Sequence, residues 1–363
     1  MPQDLLLFVG TLTRKAPYFQ NARGNGLNVY DFDEISLNAR PLARYPGIEN
    51  PSFLSVTPDG SRIYANSEVY DWREGLVTAL AFDRQSARLD YINTQPTLGS
   101  TTAYNLISQD GSRLYVINYV EVEGGPAQGL AVFDIRPDGG LTPVIGSVGH
   151  VGHGPNPDRQ EQAHMHSVTE MGNGLLLIAD LGLDQLVTYR IAPNGSLTRV
   201  AVTATAPGAG PRHVARHPAG RFVFVMNELN STVTSHGFDP VTGVLHEIDC
   251  QSALPANCGV VNYGSDIQIS PDGRFLYGGN RGHDSISVFG VDQATGQLTP
   301  LGFTPSGGST RHMTLTPSGR HLLCANQNTD CITILARDDA SGTLTDTGKT
   351  IAIGTPMCVK FAG

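Results

Sequence analysis

Histidine, arginine and glutamate side chains recur close to repeated turns in this sequence. Four histidines lie within 150–168 (HVGHGPNPDRQEQAHMHSV), and an arginine directly precedes a histidine at Arg212-His213 and again at Arg311-His312. Imidazole and carboxylate groups transfer protons near neutral pH, whereas guanidinium groups bind carboxylates, phosphates or a developing oxyanion. These residue types therefore indicate acid–base chemistry on a small, polar, anionic molecule.

The elements that must position these residues are repeated along the chain. A turn of the type Pro-Asp-Gly, followed by an apolar run that ends in a small polar residue, occurs six times with variations. The copies are TPDGSRIYANS (57–67), SQDGSRLYVIN (108–118), EMGNGLLLIAD (170–180), HPAGRFVFVMN (217–227), SPDGRFLYGGN (270–280) and TPSGRHLLCAN (316–326). Alternating apolar residues around each turn predict half-buried strands. Four strands in a unit of about 40 to 50 residues are typical of propeller blades.

A seventh unit is divided between the two ends of the chain. LLLFVGT (5–11), GLNVYDF (26–32) and the segment near Leu42 predict three strands, and PMCVKFA (356–362) predicts the innermost one. We therefore predict an all-β fold, a seven-bladed β-propeller with four-stranded antiparallel blades. The ring is closed by N- and C-terminal strands that share one blade, which removes free sheet edges. Residues 1–363 are expected to form one domain.

Side chains at fixed distances from the turns should meet at one mouth of the central channel. The first strand of each unit leads into the turn and the second leads out, so the start of the first lies beside the end of the second. Histidine and arginine concentrate seven or eight residues before the turn glycine, and asparagine, glutamate and arginine at the same distances after it. The residues predicted to bind substrate there are His166, His213, Asn118, Tyr119, Asn227, Asn280, Arg311, His312 and Gln327.

Structural explanations compete with this interpretation at some of these positions. Asparagine side chains often bond backbone groups at strand ends, so the asparagines of the repeat are also expected to have structural roles. His150, His153, His164 and His166 could in principle form a zinc site, but no cysteine or acidic residue has a matching spacing. We therefore predict no metal and no cofactor.

Composition excludes several classes of protein. Charged residues make up 16% of the 363 residues, which is too few for a helix-rich protein, and no apolar run approaches the roughly 20 residues of a membrane span. The formal net charge of −9 argues against nucleic acid or an anionic membrane surface as a partner. The N-terminal segment MPQDLLLFVGT lacks a basic region, and the five cysteines form no CxxC pair, so we expect reduced thiols and a cytoplasmic location. A Cys250–Cys258 disulfide is the alternative.

Five segments together resemble the propeller lactonases, a family that includes bacterial 6-phosphogluconolactonase of the propeller type and fungal carboxy-cis,cis-muconate cyclase. They are NPDRQEQAHMHSV (156–168), ADLGLDQLVTYR (179–190), GPRHVARHPAGRFVFVMNEL (210–229), SDIQISPDGRFLYGGNRGHDSISVF (265–289) and SGRHLLCANQNTDCITIL (318–335). The resemblance implies a metal-independent catalytic site. Its residues would be His164 (or His166) of the HxH segment, Arg212 of GPRH, Glu228 of NEL and Arg281 of NRG.

Three functions are compatible with these residues. The first is hydrolysis of a small anionic sugar-acid lactone, with Arg212 and Arg281 stabilising the oxyanion and Glu228 or His164 moving the proton. The second is cyclisation of a muconate by the same groups. The third is a non-catalytic propeller scaffold, which the polar residues at the predicted mouth disfavour. The sequence does not decide the oligomeric state.

Overall fold

The protein consists of seven four-stranded antiparallel sheets, in a computed structural model that describes residues 5–122 and 124–362. In chain order the strands are β1 (Leu5–Thr11), β2 (Leu27–Asp33), β3 (Asn38–Tyr45), β4 (Leu54–Val56), β5 (Arg62–Ser67), β6 (Leu76–Asp83), β7 (Arg88–Pro96), β8 (Thr102–Ile107), β9 (Arg113–Asn118), β10 (Leu130–Asp134), β11 (Gly146–Val148), β12 (Met165–Gly172), β13 (Leu175–Asp180), β14 (Gln185–Ile191), β15 (Leu197–Ala204), β16 (Pro211–Arg216), β17 (Phe222–Asn227), β18 (Thr232–Phe238), β19 (Leu245–Ser252), β20 (Tyr263–Ile269), β21 (Phe275–Arg281), β22 (Ser285–Val291), β23 (Leu298–Pro305), β24 (Thr310–Leu315), β25 (His321–Asn326), β26 (Cys331–Arg337), β27 (Leu344–Ala352) and β28 (Pro356–Ala362). Across the described ranges there is no helix long and apolar enough to cross a membrane.

The sheets form a closed ring. Six sheets each use four consecutive strands, and the seventh has the order β28-β1-β2-β3, so the two ends of the chain pair with each other. The first strands β4, β8, β12, β16, β20, β24 and β28 contact one another in that order, and β28 returns to β4. The first strands therefore surround the axis, and the predicted seven-bladed propeller with a shared terminal blade is confirmed.

The hydrophobic core lies between neighbouring sheets and not at a single centre. One cluster joins Phe8 and Val29 of the terminal blade to Ile63 and Phe82 of the next blade, and the rings of Phe8 and Phe82 meet edge to face with centroids 6.0 Å apart. The fourth strands, such as β3, alternate between exposed and half-buried residues because one edge of each sheet faces solvent. Because both faces of a sheet are covered by its neighbours, second strands such as β13 and β17 are almost entirely apolar.

The repeated turns follow from the chemistry of Asp and Gly. In the turn between β20 and β21, Oδ1 of Asp272 accepts hydrogen bonds from Oγ of Ser270 (2.6 Å) and from the N–H of Arg274 (3.1 Å). Gly273 has a φ of 74°, in the left-handed region that glycine adopts without strain. Asp59 and Gly60 repeat this arrangement between β4 and β5. The Pro-Asp-Gly motif is thus a structural turn, as predicted.

All five cysteines are free thiols, so the Cys250–Cys258 disulfide that the sequence left open is not formed.

Candidate functional site

A cavity of about 410 Å³ opens on the axis of the ring. Residues from the first strand of every sheet, or from the segment directly before it, contribute to its wall. The lining residues are Pro17, Tyr18, Ser52, Phe53, Glu68, Tyr70, Thr101, Ala103, Tyr119, Glu121, Arg159, His166, Arg212, His213, Glu228, Tyr263, Arg281, Arg311, His312 and Met357. Basic, acidic and aromatic side chains are therefore gathered in one concave site, which is the usual form of a small-molecule site.

A β-bulge near the start of the inner strands places extra side chains in this cavity. In five sheets the pairing of the first with the second strand skips one residue, and all five skipped residues line the cavity. They are Ala103, His166, Arg212, Arg311 and Met357. Because the bulge interrupts the alternation of the strand, the consecutive residues Arg212 and His213 both face the cavity.

The bulges also correct the predicted alignment of the repeats. When residues are counted from the turn of each unit, His166 occupies the same position of the repeat as His213 and His312. The strand pairing instead places His166 with Arg212 and Arg311, because Met165 pairs with Asp180 as Pro211 pairs with Asn227. A second irregularity between Glu170 and Gly172 changes the count by one residue in this sheet.

Aspartates of the preceding sheet fix the loops that lead into two inner strands. Oδ1 of Asp184 accepts a hydrogen bond from the N–H of Gly210 (2.8 Å), two residues before Arg212. In the same way, Oδ1 of Asp284 accepts the N–H of Ser309 (2.7 Å), two residues before Arg311. Both arginines therefore begin from backbone that is anchored to the neighbouring blade.

Glu228 binds three arginines at once. Its Oε1 lies 2.6 Å from Nη2 of Arg159, and its Oε2 lies 2.9 Å from Nε of Arg212 and 2.8 Å from Nη2 of Arg281. The carboxylate is 3% exposed. Burial alone would raise the pKa of Glu228, but Arg281, Arg159 and Arg212 outweigh this effect and hold the pKa well below its usual range. Glu228 is therefore an anion at neutral pH and a weak base.

Arg311 differs from these three arginines. It has no hydrogen-bond or ion-pair partner in residues 5–122 and 124–362, and its guanidinium carbon lies 4.4 Å from the centre of the Tyr18 ring. The Tyr18 hydroxyl donates a hydrogen bond to Oε1 of Glu68 (2.9 Å), which holds the ring in place. A cation on an aromatic face, with all its N–H donors free, is prepared to bind an anionic group.

Three histidines that line the cavity pack against one another or against aromatic rings. The ring of His213 lies 5.3 Å from that of His166 and 5.3 Å from that of Tyr104, and the ring of Phe53 lies 5.3 Å from that of His312. Burial is the main cause that lowers the pKa of all three histidines well below its usual value, and neighbouring cations lower it further. These imidazoles are therefore neutral at neutral pH and can accept a proton.

His164, predicted as a catalytic residue, does not line the cavity. Its Nδ1 lies 2.8 Å from the carbonyl oxygen of Tyr119 and its Nε2 lies 2.9 Å from Oε1 of Glu161, so both nitrogens are occupied. The β-bulge at His166 interrupts the alternation of side chains, so His164 and His166 do not both face the cavity. His166 is the histidine of this segment that lines the cavity.

Four of the predicted substrate-binding residues do not line the cavity either, namely Asn118, Asn227, Asn280 and Gln327. The amide of Asn118 donates to the carbonyl oxygens of Thr97 and Gln128, and that of Asn280 donates to the carbonyl oxygen of Ala253. Asn118 and Asn280 thus have the structural role that the sequence also suggested, whereas Asn227 donates to the hydroxyls of Thr232 and Thr234 and Gln327 donates to the side chain of Asn328. The other five, Tyr119, His166, His213, Arg311 and His312, line the cavity together with Arg212, Glu228 and Arg281.

Sequence analysis missed several lining residues, of which Arg159 is the most important. Arg159 lies in the segment NPDRQEQ that carries part of the family resemblance, but no strand periodicity indicates where a loop side chain will point. Tyr18 and Glu121 also come from loops. Phe53 lies seven residues before Gly60 and Glu68 eight residues after it, at the spacing of the predicted residues, although neither was predicted to bind substrate.

His150 of the histidine-rich segment is bonded to side chains of two other strands. Nδ1 of His150 lies 2.6 Å from Oδ2 of Asp180, its Nε2 lies 2.8 Å from the hydroxyl of Tyr189, and the residue does not line the cavity. Within the described part of the chain there is no group of three or more His, Cys, Asp or Glu residues that could hold a metal ion.

The fold agrees with comparisons to known proteins. The family described as lactonase, 7-bladed β-propeller, matches residues 6–361. The 6-phosphogluconolactonase of Bacillus subtilis is 32% identical over 297 residues, covering 80% of this chain and 79% of that protein. The 6-phosphogluconolactonase of Formosa agariphila is 32% identical over 309 residues, covering 83% of each. The solved structure of a periplasmic gluconolactonase from Pseudomonas aeruginosa superposes with a TM-score of 0.89 at 31% identity, covering 99% of both chains.

The fold and the family match thus define a seven-bladed propeller of lactonase type. This chain belongs to the lactonase family of seven-bladed β-propellers, and the resemblance that the sequence motifs indicated is confirmed.

Proposed function

We propose that the protein hydrolyses a sugar-acid lactone bearing an anionic group, and that the axial cavity is the site of the reaction. The observation that carries the proposal is the combination of four arginines and two unpartnered imidazole nitrogens in one cavity. Relatives named 6-phosphogluconolactonase and gluconolactonase support the same chemistry.

The arginines would supply the electrostatic part of the reaction. When water attacks a lactone carbonyl, negative charge develops on the carbonyl oxygen, and fixed donors lower the barrier because they need no reorganisation. Glu228 fixes both Arg212 and Arg281. In addition, Arg212 donates to the carbonyl oxygen of Ser265 (2.8 Å) and Arg281 donates to that of Gly264 (2.8 Å), both in β20. Burial, first, and the charge of Arg281 lower the pKa of Arg212 to about 9, so it stays protonated at neutral pH.

Arg311 would recognise the anionic group of the substrate. The three arginines on Glu228 are partly neutralised by that carboxylate, whereas Arg311 retains its full hydrogen-bonding capacity. A phosphate or carboxylate at the outer part of the substrate would satisfy the Arg311 guanidinium in a bidentate contact. The lactone ring would then lie toward Arg212, Arg281 and the histidines.

Proton release at constant pH tests the proposal directly. Freshly prepared sugar-acid lactones, phosphorylated and unphosphorylated, are hydrolysed with the uncatalysed rate subtracted for each. We expect acceleration of a lactone that carries an anionic group, and loss of acceleration in the Arg212→Gln protein. Absence of acceleration with every lactone contradicts the proposal. Cyclisation of a muconate, followed by absorbance, then becomes the function to test, since it uses the same kinds of group.

A further inference from the structure

Of the three histidines that line the cavity, His213 combines two features. A carboxylate fixes its tautomer and, within the described residues, its other ring nitrogen is free. Its Nδ1 lies 2.8 Å from Oδ1 of Asp266. Because a carboxylate accepts, Nδ1 donates its proton and Nε2 carries the lone pair. Nε2 of His213 is buried and has no hydrogen-bond partner, and His213 lines the cavity.

Asp266 is itself held rigidly. Its Oδ2 accepts hydrogen bonds from the N–H of Met313 (2.8 Å) and from Nε2 of Gln268 (3.1 Å), and the residue is 3% exposed. Among the described residues no arginine or lysine forms an ion pair with it. The charge of Asp266 is therefore available to stabilise a positive His213, as an aspartate does for the base of a hydrolytic triad.

We propose that His213, oriented by Asp266, is the general base that takes the proton from the attacking water. The assignment rests on the proposed lactone hydrolysis. Nε2 of His213 accepts a proton from water while the water oxygen bonds to the lactone carbonyl carbon. The tetrahedral intermediate then collapses, the bond to the ring oxygen breaks, and Nε2–H returns its proton to that oxygen. The product is the open hydroxy acid, and His213 is neutral again.

The contacts of the other candidates make them less suited to this role than His213. Glu228 is neutralised by three arginines, and His164 uses both nitrogens outside the cavity. His166 lines the cavity and its Nδ1 has no partner, but no carboxylate fixes its tautomer. His312 accepts the N–H of Val359 at Nδ1 (3.5 Å), so its Nε2 carries the proton and faces Oδ2 of Asp266 at 3.7 Å.

Several charged groups act on His213. Arg212, Arg281 and Lys360 disfavour its protonation, whereas Glu228 favours it, and burial makes the largest contribution toward the neutral form. Oδ1 of Asp266 accepts the hydrogen bond from Nδ1–H of His213, and the neutral rings of His166 and His312 lie close to His213. A neutral imidazole is the active form of a base, so we expect the rate to fall only when the pH drops below the ordinary range of histidine.

Kinetics of His213→Gln and Asp266→Asn test the assignment. We expect His213→Gln to lower kcat by roughly 10²- to 10⁴-fold with KM within a few-fold of the wild-type value, and to remove the acidic limb of the pH–rate profile. Asp266→Asn should lower kcat strongly as well, because an amide no longer selects the productive tautomer. His153→Gln, at an exposed histidine outside the cavity, is the matched control and should change neither.

Nitrogen NMR of protein labelled in its histidine rings gives a readout that does not depend on turnover. The resonance lost in His213→Gln should show a proton on Nδ1 in the wild type at neutral pH, and a changed tautomer in Asp266→Asn. A His213→Gln protein that keeps wild-type kcat, or a proton found on Nε2, overturns the assignment of the base alone. A wild-type protein that accelerates no lactone overturns the proposed function, and with it this role.

Discussion

At the scale of single residues, the contacts of Glu228 favour a role in positioning charges over a role in proton transfer. Its carboxylate is shared by Arg159, Arg212 and Arg281, so it sets the positions of three cations that would otherwise repel one another. Both oxygens of the carboxylate already accept from arginine N–H groups, whereas Nε2 of His213 has no partner among the described residues. The sequence had offered Glu228 as one candidate for the base, and its contacts favour a positioning role.

Glu228→Gln should therefore destabilise the protein and leave the pH profile of the remaining activity in place. Removing one partner of a buried ion pair costs roughly 3–5 kcal/mol, because the other charges stay buried without compensation. Urea denaturation measures this loss, and Glu247→Gln on the exposed face of β19 is the control. Disappearance of the acidic limb in Glu228→Gln would show that Glu228 itself is the base.

Arg311→Gln should weaken the binding of anionic lactones specifically. A hydrogen bond to a charged group contributes about 1.5–3 kcal/mol, which corresponds to a rise in KM of roughly 10- to 100-fold. The KM of an uncharged lactone should change little, and Arg320→Gln at an exposed turn is the matched control. Equal losses for charged and uncharged lactones would contradict the proposed recognition of the anion.

At the scale of strands, the bulges and the ring closure decide what reaches the cavity. The bulges give each affected inner strand one side chain more on the axis than alternation allows, and Arg212 and Arg311 are two of these. Closure depends on β28, which pairs with β1 and supplies Met357 to the same cavity.

A chain that ends after Thr355 should lose its cooperative folding. The truncation removes β28, leaves the pairing edge of β1 unpaired, and exposes the apolar residues of that strand, so we expect aggregation or a broad unfolding transition. Circular dichroism during heating and size-exclusion chromatography measure both effects. A chain that ends after Phe361 keeps the pairs from Thr11–Pro356 to Leu7–Phe361 and is the control. A sharp, unchanged transition in the longer deletion would show that β28 does not close the ring.

At the scale of the whole molecule, the net charge is negative, whereas the proposed site would bind an anion. The chain carries a formal net charge of −9, whereas the cavity contains four arginines. Long-range attraction therefore does not bring an anionic substrate to the protein, and the cations near the axis must create the attraction locally. Association with an anionic lactone should accordingly depend on Arg311 and its neighbours more than on surface charges.

Stability should fall as the pH falls from about 7 toward 4. The pKa values of His166, His213 and His312 are lowered in the folded state, chiefly by burial, and burial lowers that of His236 to about 4. Below about pH 6.5 the unfolded chain therefore binds more protons than the folded one, and protonation favours unfolding. Glu228 adds the same trend below its ordinary pKa. Urea midpoints at several pH values measure this effect, and a midpoint that stays constant or rises on acidification contradicts it.

The repeat in the sequence determined the fold, because a propeller blade is a local structure. Each unit carries its own turn chemistry, as at Asp272 and Gly273, and its own alternating strands, so six copies and a divided seventh predict the ring without knowledge of distant contacts. The same spacing correctly gathered Arg212, His213, Glu228, Arg281 and Arg311 at one mouth.

The tertiary structure decided which side chains enter the cavity and which tasks they can perform. Bulges changed the direction of His164 relative to His166, since a single inserted residue reverses the alternation that sequence analysis assumes. Arg159 and Tyr18 come from loops, whose path is set by long-range packing and carries no periodic signal. The pairing of His213 with Asp266 joins two different blades, so only the closed ring reveals it.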